Sequence, residues 1–484
     1  MASRSTIGIL IGAEFRTDSD ETIPSTNPAD GSVNHQVLAA TPRHVDHAVR
    51  AATRAAADKA WRATAPHARA RVLHGIGDLL EANAELLATV QMRENGKVFA
   101  ECLAQANAAA GVFRYFAAVC EVTGSEVTPP RGPYLSLVVH EPYGVVGALT
   151  PWNSPLTMEA QKVAPALAAG NAVILKPSET TPTTALELAS TALEAGLPPG
   201  LLNVLPGRGD VGAAVVAHPG VRMVSFTGGT ATGRAIARAA AERLLPVTLE
   251  LGGKSPHIVF GDADIDRAVE AVTEGIFEGG GQSCVAGARL FVERTVHDDV
   301  VDAVVARARA LRVDLPDAPG AEMGPLASFP HRDRVEAAVS RAVTEGGSVL
   351  TGGVRPDADG LRAGAFFQPT VIAGLDNTSR TCQDEIFGPV LCVLPFDDED
   401  DVIRQANDSV YGLACGLWTA DYQRAWRVAR AIDAGSVWIN TYKQLSISTP
   451  FGGFKESGIG REKGMPGLRL YQQPKSVYLG LQGG

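Results

Sequence analysis

Cys284, in the stretch Gly281-Gln282-Ser283-Cys284-Val285-Ala286-Gly287, is the residue around which chemistry could be organised. It follows the run Gly279–Gly281 and stands among small and polar neighbours rather than in an apolar core run. A thiol on such a backbone-rich loop is open to a ligand, and its thiolate is a nucleophile. Most free cysteines are simply small buried residues, so the company it keeps decides. Leu249-Glu250-Leu251-Gly252-Gly253-Lys254 sets a carboxylate in an apolar strand that ends in a Gly-Gly turn. A carboxylate there is either ion-paired for structure or carries a raised pKa that suits a general base. Pro151-Trp152-Asn153-Ser154-Pro155 holds an asparagine in a stiff frame. Its amide is a neutral donor fit for an oxyanion, or the residue is part of a plain turn.

Other stretches point to a dinucleotide. Phe226-Thr227-Gly228-Gly229-Thr230-Ala231-Thr232-Gly233 follows an apolar strand and opens a helix. Its glycines let the backbone approach a ligand, and the helix N-terminus offers N–H groups to a pyrophosphate. It is neither GxGxxG nor a Walker loop. Lys176-Pro177-Ser178-Glu179 ends an earlier strand of the same sheet. An acidic residue there accepts hydrogen bonds from ribose hydroxyls in a dinucleotide-binding sheet; otherwise this is a solvated turn. Glu385-Ile386-Phe387-Gly388-Pro389 and Pro450-Phe451-Gly452-Gly453-Phe454-Lys455-Glu456-Ser457-Gly458 are dense in glycine, proline and aromatics and read as shaped loops.

Such residues need a scaffold that ends several strands at one place. From residue 144 to 260, apolar runs at 144–149, 172–175, 201–205, 221–226 and 247–251 alternate with helical patterns near 156–169, 183–195 and 232–243. That alternation predicts a parallel sheet covered on both faces. A second alternation follows, with strands at 258–260, 290–292, 390–394 and 437–440 and helices at 265–277, 297–311 and 399–407. Residues 41–116 read as helical, with Pro42 and Pro66 at helix starts. Residues 129–143 are extended, and 477–481 can pair with another strand. At 484 residues the chain exceeds one ordinary core. The composition, 45% apolar and 20% charged, is that of a soluble globular protein, and a net charge of -10 argues against nucleic acid or anionic membrane as partner. Six cysteines with no CxxC pair read as free thiols in a reducing, cytoplasmic compartment.

Taken in order, these motifs resemble the aldehyde dehydrogenase superfamily over nearly the whole chain, from Asn27-Pro28-Ala29 to Pro450–Arg461. The 34-residue separation of Glu250 and Cys284 is usual in that family. The resemblance implies an α/β fold with a Rossmann-type parallel-sheet cofactor domain (1–122 and 143–252) and a second α/β catalytic domain (253–450). A small β oligomerisation arm with the C-terminal segment (123–142 and 451–484) would be swapped within a homodimer or homotetramer. The implied activity is NAD-dependent oxidation of an aldehyde to the carboxylic acid through a thiohemiacetal and a thioester. By resemblance Cys284 is the nucleophile, Asn153 with the Cys284 N–H is the oxyanion hole, and Glu250 activates the hydrolytic water. Lys176 and Glu179 match adenosine-ribose contacts; Gly228, Gly229 and Gly233 match the pyrophosphate turn. Glu385 and Phe387 match nicotinamide-ribose contacts, and Trp152 packs near the cofactor. Glu179 favours NAD by repelling a ribose 2′-phosphate, with NADP still possible. No metal is implied.

Two departures stand out: Gly229 where the family often has serine, and Gly279 where many members have asparagine. At positions where aromatic residues line the tunnel for small apolar aldehydes, this chain has Ser154, Gln161, Glu278 and Leu445 and keeps Phe451, with Ser283 beside the nucleophile. That implies a polar mouth and a functionalised aldehyde. The alternatives are CoA-acylating oxidation, whose members generally lack the glutamate, and a non-catalytic cofactor-binding scaffold, disfavoured by the presence of both Cys284 and Glu250.

Overall fold

The computed structural model describes residues 6–481; residues 1–5 and 482–484, the outermost parts of the expected cofactor domain and C-terminal segment, lie outside it. Runs such as Val145–Leu149 and Ala172–Lys176 are buried at every position, as expected of strands covered on both faces. They form the centre of an eight-stranded sheet ordered Gly458–Ile459, Val247–Glu250, Met223–Thr227, Val145–Leu149, Ala172–Lys176, Leu202–Val204, Ile9–Ile11, Glu14–Arg16. The five strands between residues 145 and 250 run parallel, and antiparallel pieces close both edges. The chain builds outward from Val145–Leu149 in one direction, then returns to add Met223–Thr227 on its other side. That reversal is a topological switch point, and a crevice opens beyond the carboxyl ends of the two strands. Thr150–Asn153 and Gly228–Gly229 are the residues that leave those ends.

The second sheet has seven strands, ordered Ser348–Thr351, Thr370–Ala373, Val390–Phe396, Arg289–Glu293, Pro256–Val259, Ala414–Trp418, Ser436–Ile439. All neighbours are parallel except the first pair. One apolar core surrounds the first sheet, and two others fill the faces of the second. A third, antiparallel sheet joins Gln472–Gly480 to Tyr134–Pro142 and Glu126–Thr128, so the C-terminal run does find a strand partner. Val477, Tyr478 and Leu479 are exposed on it.

Pro42 and Pro66 are the first residues of helices Pro42–Ala57 and Pro66–Ala82, where the missing N–H costs nothing. The helix after the glycine turn is Thr230–Ala241, two residues earlier than the pattern predicted. Helix Phe329–Thr344 and strands Thr370–Ala373 and Ala414–Trp418 went unread. The last runs Ala-Cys-Gly-Leu-Trp, too small-residue-rich to show as an apolar run, because Gly416 makes room for Tyr442 and His257. The two-residue strand Gly458–Ile459 pairs with Leu249 and Glu250 and so brings residues after 450 back onto the first sheet. Among the described residues no helix is long and apolar enough to cross a membrane.

Candidate active site

A cavity of about 650 Å³ opens at the switch point. Trp152, Asn153, Gly228, Gly229, Glu385 and Phe387 line it, and Cys284 stands on its wall. Seven residues drawn from four sequence-distant stretches thus meet in one space. Of the six cysteines, all free, Cys284 alone is not buried.

The nucleophile loop is shaped by glycine. Helix Ile265–Phe277 gives way to a turn in which Gly279, Gly280 and Gly281 all have φ between 62° and 69°, a left-handed run that side chains rarely adopt. A Cβ on Gly281 would fall 2.2 Å from the Gly388 carbonyl oxygen, and one on Gly279 would fall 2.7 Å from Lys97 Nζ. A side chain at 279 would have to displace the Lys97 ammonium, which glycine avoids. Gln282 is buried, donates to the Gly279 carbonyl at 2.9 Å and accepts from the Ala327 N–H at 2.9 Å. Asn153 Nδ2 donates to the Gln282 carbonyl at 2.9 Å. One amide proton thus anchors the side chain to the loop, and the second is left for an oxyanion beside Cys284.

Two carboxylates flank the thiol. Burial, then the Glu385 and Glu250 carboxylates, push the Cys284 thiol up to about 12, with Lys463 acting in the opposite sense. Its resting form at neutral pH is the thiol. Glu385 Oε1 accepts from the Gly253 N–H at 3.0 Å, and burial pushes its carboxyl up to about 7. Glu250 is 4% exposed, and neither of its oxygens has a hydrogen-bond partner. Burial first, and Glu462 second, push its pKa well up; Lys162, Arg461 and Lys463 oppose. Gly253 lies so close to the loop that a Cβ would meet the Cys284 carbonyl oxygen at 2.4 Å. The Gly-Gly turn after Glu250 is therefore the contact that seats the nucleophile loop on the first sheet.

The cavity's ring wall is built by Trp152, which meets Phe387 edge-on at 5.3 Å and His331 at 5.2 Å. Phe387 has φ 59°, and its carbonyl is hydrogen-bonded to His331 Nε2 at 2.7 Å. Gly229 has open space where a Cβ would stand, whereas on Gly228 a Cβ would meet the Phe226 ring at 2.5 Å. The first turn of Thr230–Ala241 thus presents its N–H groups to the cavity with no side chain between, which fits a pyrophosphate. Gly233 lies a turn deeper and serves packing: a Cβ there would strike the Leu251 side chain at 2.4 Å. Lys176 is buried at the end of its strand, 3.6 Å from the half-exposed Glu179 carboxylate. That pair sits at the edge of a smaller neighbouring cavity lined by Glu179 and Arg208.

The expected mouth residues divide. Phe451 is half-buried and packs against the cluster that includes Cys284, and Ser283 is half-buried beside it. Ser154 caps helix Pro155–Ala168, while Gln161 is buried within that helix. Glu278 is ion-paired to Lys443 at 3.0 Å on a second cavity, and Leu445 is exposed.

Sequence reasoning missed a buried pair behind Glu250. Lys162 Nζ lies 2.6 Å from Glu462 and 3.0 Å from Ser225 Oγ, which also accepts from the Tyr471 hydroxyl at 3.0 Å. The available signal was a lysine flanked by apolar residues on its C-terminal side, in a helix rich in Ala, Leu and Val, where a cation must find a buried partner. His331, Tyr442 and Lys463 left no comparable trace.

Comparison with known proteins places this arrangement. The model of the aldehyde dehydrogenase family matches residues 15–477. A betaine aldehyde dehydrogenase of Mesorhizobium japonicum is 42% identical over 458 residues, 94% of this chain and 93% of the relative. An aldehyde dehydrogenase from Bacillus cereus solved in complex with NAD+ superposes with a TM-score of 0.96 at 39% identity, covering 99% of this chain and 97% of that one. A betaine aldehyde dehydrogenase from Staphylococcus aureus, also with NAD+, gives a TM-score of 0.96 at 37% identity over 99% and 95% of the two chains. With the nucleophile loop, the glycine turn and the buried carboxyl gathered at one switch point, the chain belongs to the aldehyde dehydrogenase family.

Proposed function

We propose that this protein oxidises a functionalised aldehyde to the carboxylic acid with NAD, using Cys284, Asn153 and Glu250. The observation that carries the assignment is their convergence: Asn153 is hydrogen-bonded into the nucleophile loop, and the Gly252-Gly253 turn following Glu250 abuts the carbonyl of Cys284. Glu250 in its ionised form takes the Cys284 thiol proton and passes it to solvent, the sulfur adds to the aldehyde carbon, and the oxyanion accepts hydrogen bonds from the free Asn153 N–H and the Cys284 N–H. Each such donor contributes on the order of 3 kcal/mol to the transition state. NAD held by the cavity residues would supply the acceptor for the hydride that leaves the thiohemiacetal carbon. The thioester left on Cys284 is hydrolysed by water that gives its proton to Glu250. The free oxygens of Glu250 favour water over CoA as acyl acceptor.

Residues fitted to the cofactor are Trp152, Gly228, Gly229, Glu385 and Phe387 around the cavity, with Lys176 and Glu179 beyond the next strand. Glu179 sets the preference for NAD over NADP by charge. The cofactor unit is assigned to 1–122 and 143–252, the catalytic unit to 253–450, and the arm to 123–142 with the C-terminal segment. The exposed apolar residues of that arm support a homodimer or homotetramer. Six free thiols support a cytoplasmic location. The test is NADH formation across short aliphatic, aromatic, amino- and carboxylate-bearing aldehydes. Cys284→Ala should abolish turnover while NAD binding persists, and retained turnover rejects the assignment.

A further inference from the structure

Lys463 is a buried amine with no polar partner among the described residues. It is 7% exposed and held at φ 60°. Its Nζ sits 4.9 Å from the centroid of the Phe451 ring. That ring is fixed beside it by a reciprocal backbone pair, Phe451 N–H to the Glu462 carbonyl and back, each 2.8 Å. Phe451 in turn packs against the cluster formed by Val285, Leu413, Trp438 and Tyr442, which Cys284 also touches.

Burial lowers the pKa of this amine, with Glu462, then Cys284 and Glu250, acting in the opposite sense, and neither nearby carboxyl makes an ion pair with it. Glu462 is committed to Lys162 at 2.6 Å. Glu250 makes no ion pair, and its raised pKa favours its neutral form. A buried charge is costly until it is paired, so an amine held this way gains most when a ligand brings the counter-charge. The surrounding rings offer nothing to a ligand of the opposite sign. Lys463 already covers a face of Phe451, and Tyr442 stacks on His257 at 4.5 Å and meets Trp438 edge-on at 5.0 Å. The acidic residue of the mouth, Glu278, is balanced by Lys443.

We propose that Lys463 is a specificity-determining residue that selects aldehydes carrying a carboxylate at the end remote from the carbonyl. The inference rests on the reading of Cys284 as the nucleophile and deepens it by giving the substrate a charge. A quaternary ammonium substrate, as betaine aldehyde is, meets a like charge here and lacks the free aromatic faces that bind such cations.

Two readouts test this, one of which needs no turnover. Alkylation of Cys284 by iodoacetate and by iodoacetamide compares an anionic with a neutral reagent at the same sulfur. The ratio of the two rates should fall at least fivefold in Lys463→Met and hold in Lys463→Arg. In steady state, kcat/KM for a carboxylate-bearing aldehyde should exceed that for its uncharged isostere and for betaine aldehyde at least tenfold. Lys463→Met should bring the carboxylate-to-isostere ratio within threefold, mostly through KM, and Lys463→Glu should invert it. An alkylation ratio unmoved by Lys463→Met, or a wild-type preference for betaine aldehyde, overturns the proposal. Silence with every aldehyde would instead count against the dehydrogenase reading, while the alkylation ratio still decides what Lys463 does.

Discussion

Two buried charged groups stand behind the nucleophile, and they are built in opposite ways. Lys162 and Glu462 are saturated: a 2.6 Å ion pair, a serine hydroxyl and a tyrosine hydroxyl leave that cluster little to do but hold the helix, the strand and the C-terminal loop together. Glu250 is as deeply buried, yet both its oxygens are unpaired. A folded chain tolerates an unsatisfied carboxyl where it is neutral at rest and faces a reactant. The difference separates a group kept for structure from one kept for chemistry, although both Glu462 and Glu250 are buried acids.

Glu250→Gln sharpens that contrast most. The amide keeps the shape and loses the base, so turnover should fall by about 10²–10⁴ with thermal stability little changed. Because the folded-state pKa of Glu250 is raised, its basic form grows only as pH rises through that value. Hydrolysis should therefore accelerate toward alkaline pH in the wild type and lose this limb in Glu250→Gln, as read from a pH profile of the steady-state rate. Lys162→Met should do the reverse, losing stability before chemistry. It strands Glu462 without its cation, and removing one partner of a buried pair costs about 3–5 kcal/mol, measurable by denaturant unfolding. If Lys162→Met unfolds at the wild-type midpoint, the saturated cluster is not structural.

Asn153→Ala tests the opposite wall of the site. It removes an oxyanion donor and the tether to Gln282 together, and kcat should drop by about 10²–10³, with NAD affinity held. The smallest effect belongs to Glu385. Its carboxyl is pushed up to about 7, and protonation removes an acceptor for ribose hydroxyls. NAD should bind a few-fold more weakly as pH falls through 7, and Glu385→Gln should flatten that dependence in a titration of cofactor binding.

How far the sequence disclosed this depends on where each residue sits along the chain. Asn153, Gly228 and Glu250 each follow or end an apolar run, so pattern and turn chemistry mark them, and the switch point then brings the runs' ends together. Cys284 is marked by its glycines, whose left-handed φ values favour that residue type there. Lys162 and Glu462 are 300 residues apart, and only the packing of the C-terminal loop against the first sheet makes them a pair. Lys463 follows an isolated bridge between Glu462 and Phe451 that no pattern displays, so its approach to Phe451 is purely tertiary. The mouth residues fared unevenly for the same reason. Ser154 stands just before the helix that carries Gln161, and the helix's own rotation turns Gln161 into the core.

The most direct test is to trap the acyl group. Glu250→Gln, mixed with NAD and a turned-over aldehyde and quenched within one turnover, is digested and weighed by mass spectrometry. The account predicts the acyl mass on the peptide carrying Cys284, with release slowed relative to wild type. An acyl group on another cysteine, or none while NADH is formed at the wild-type rate, would contradict it.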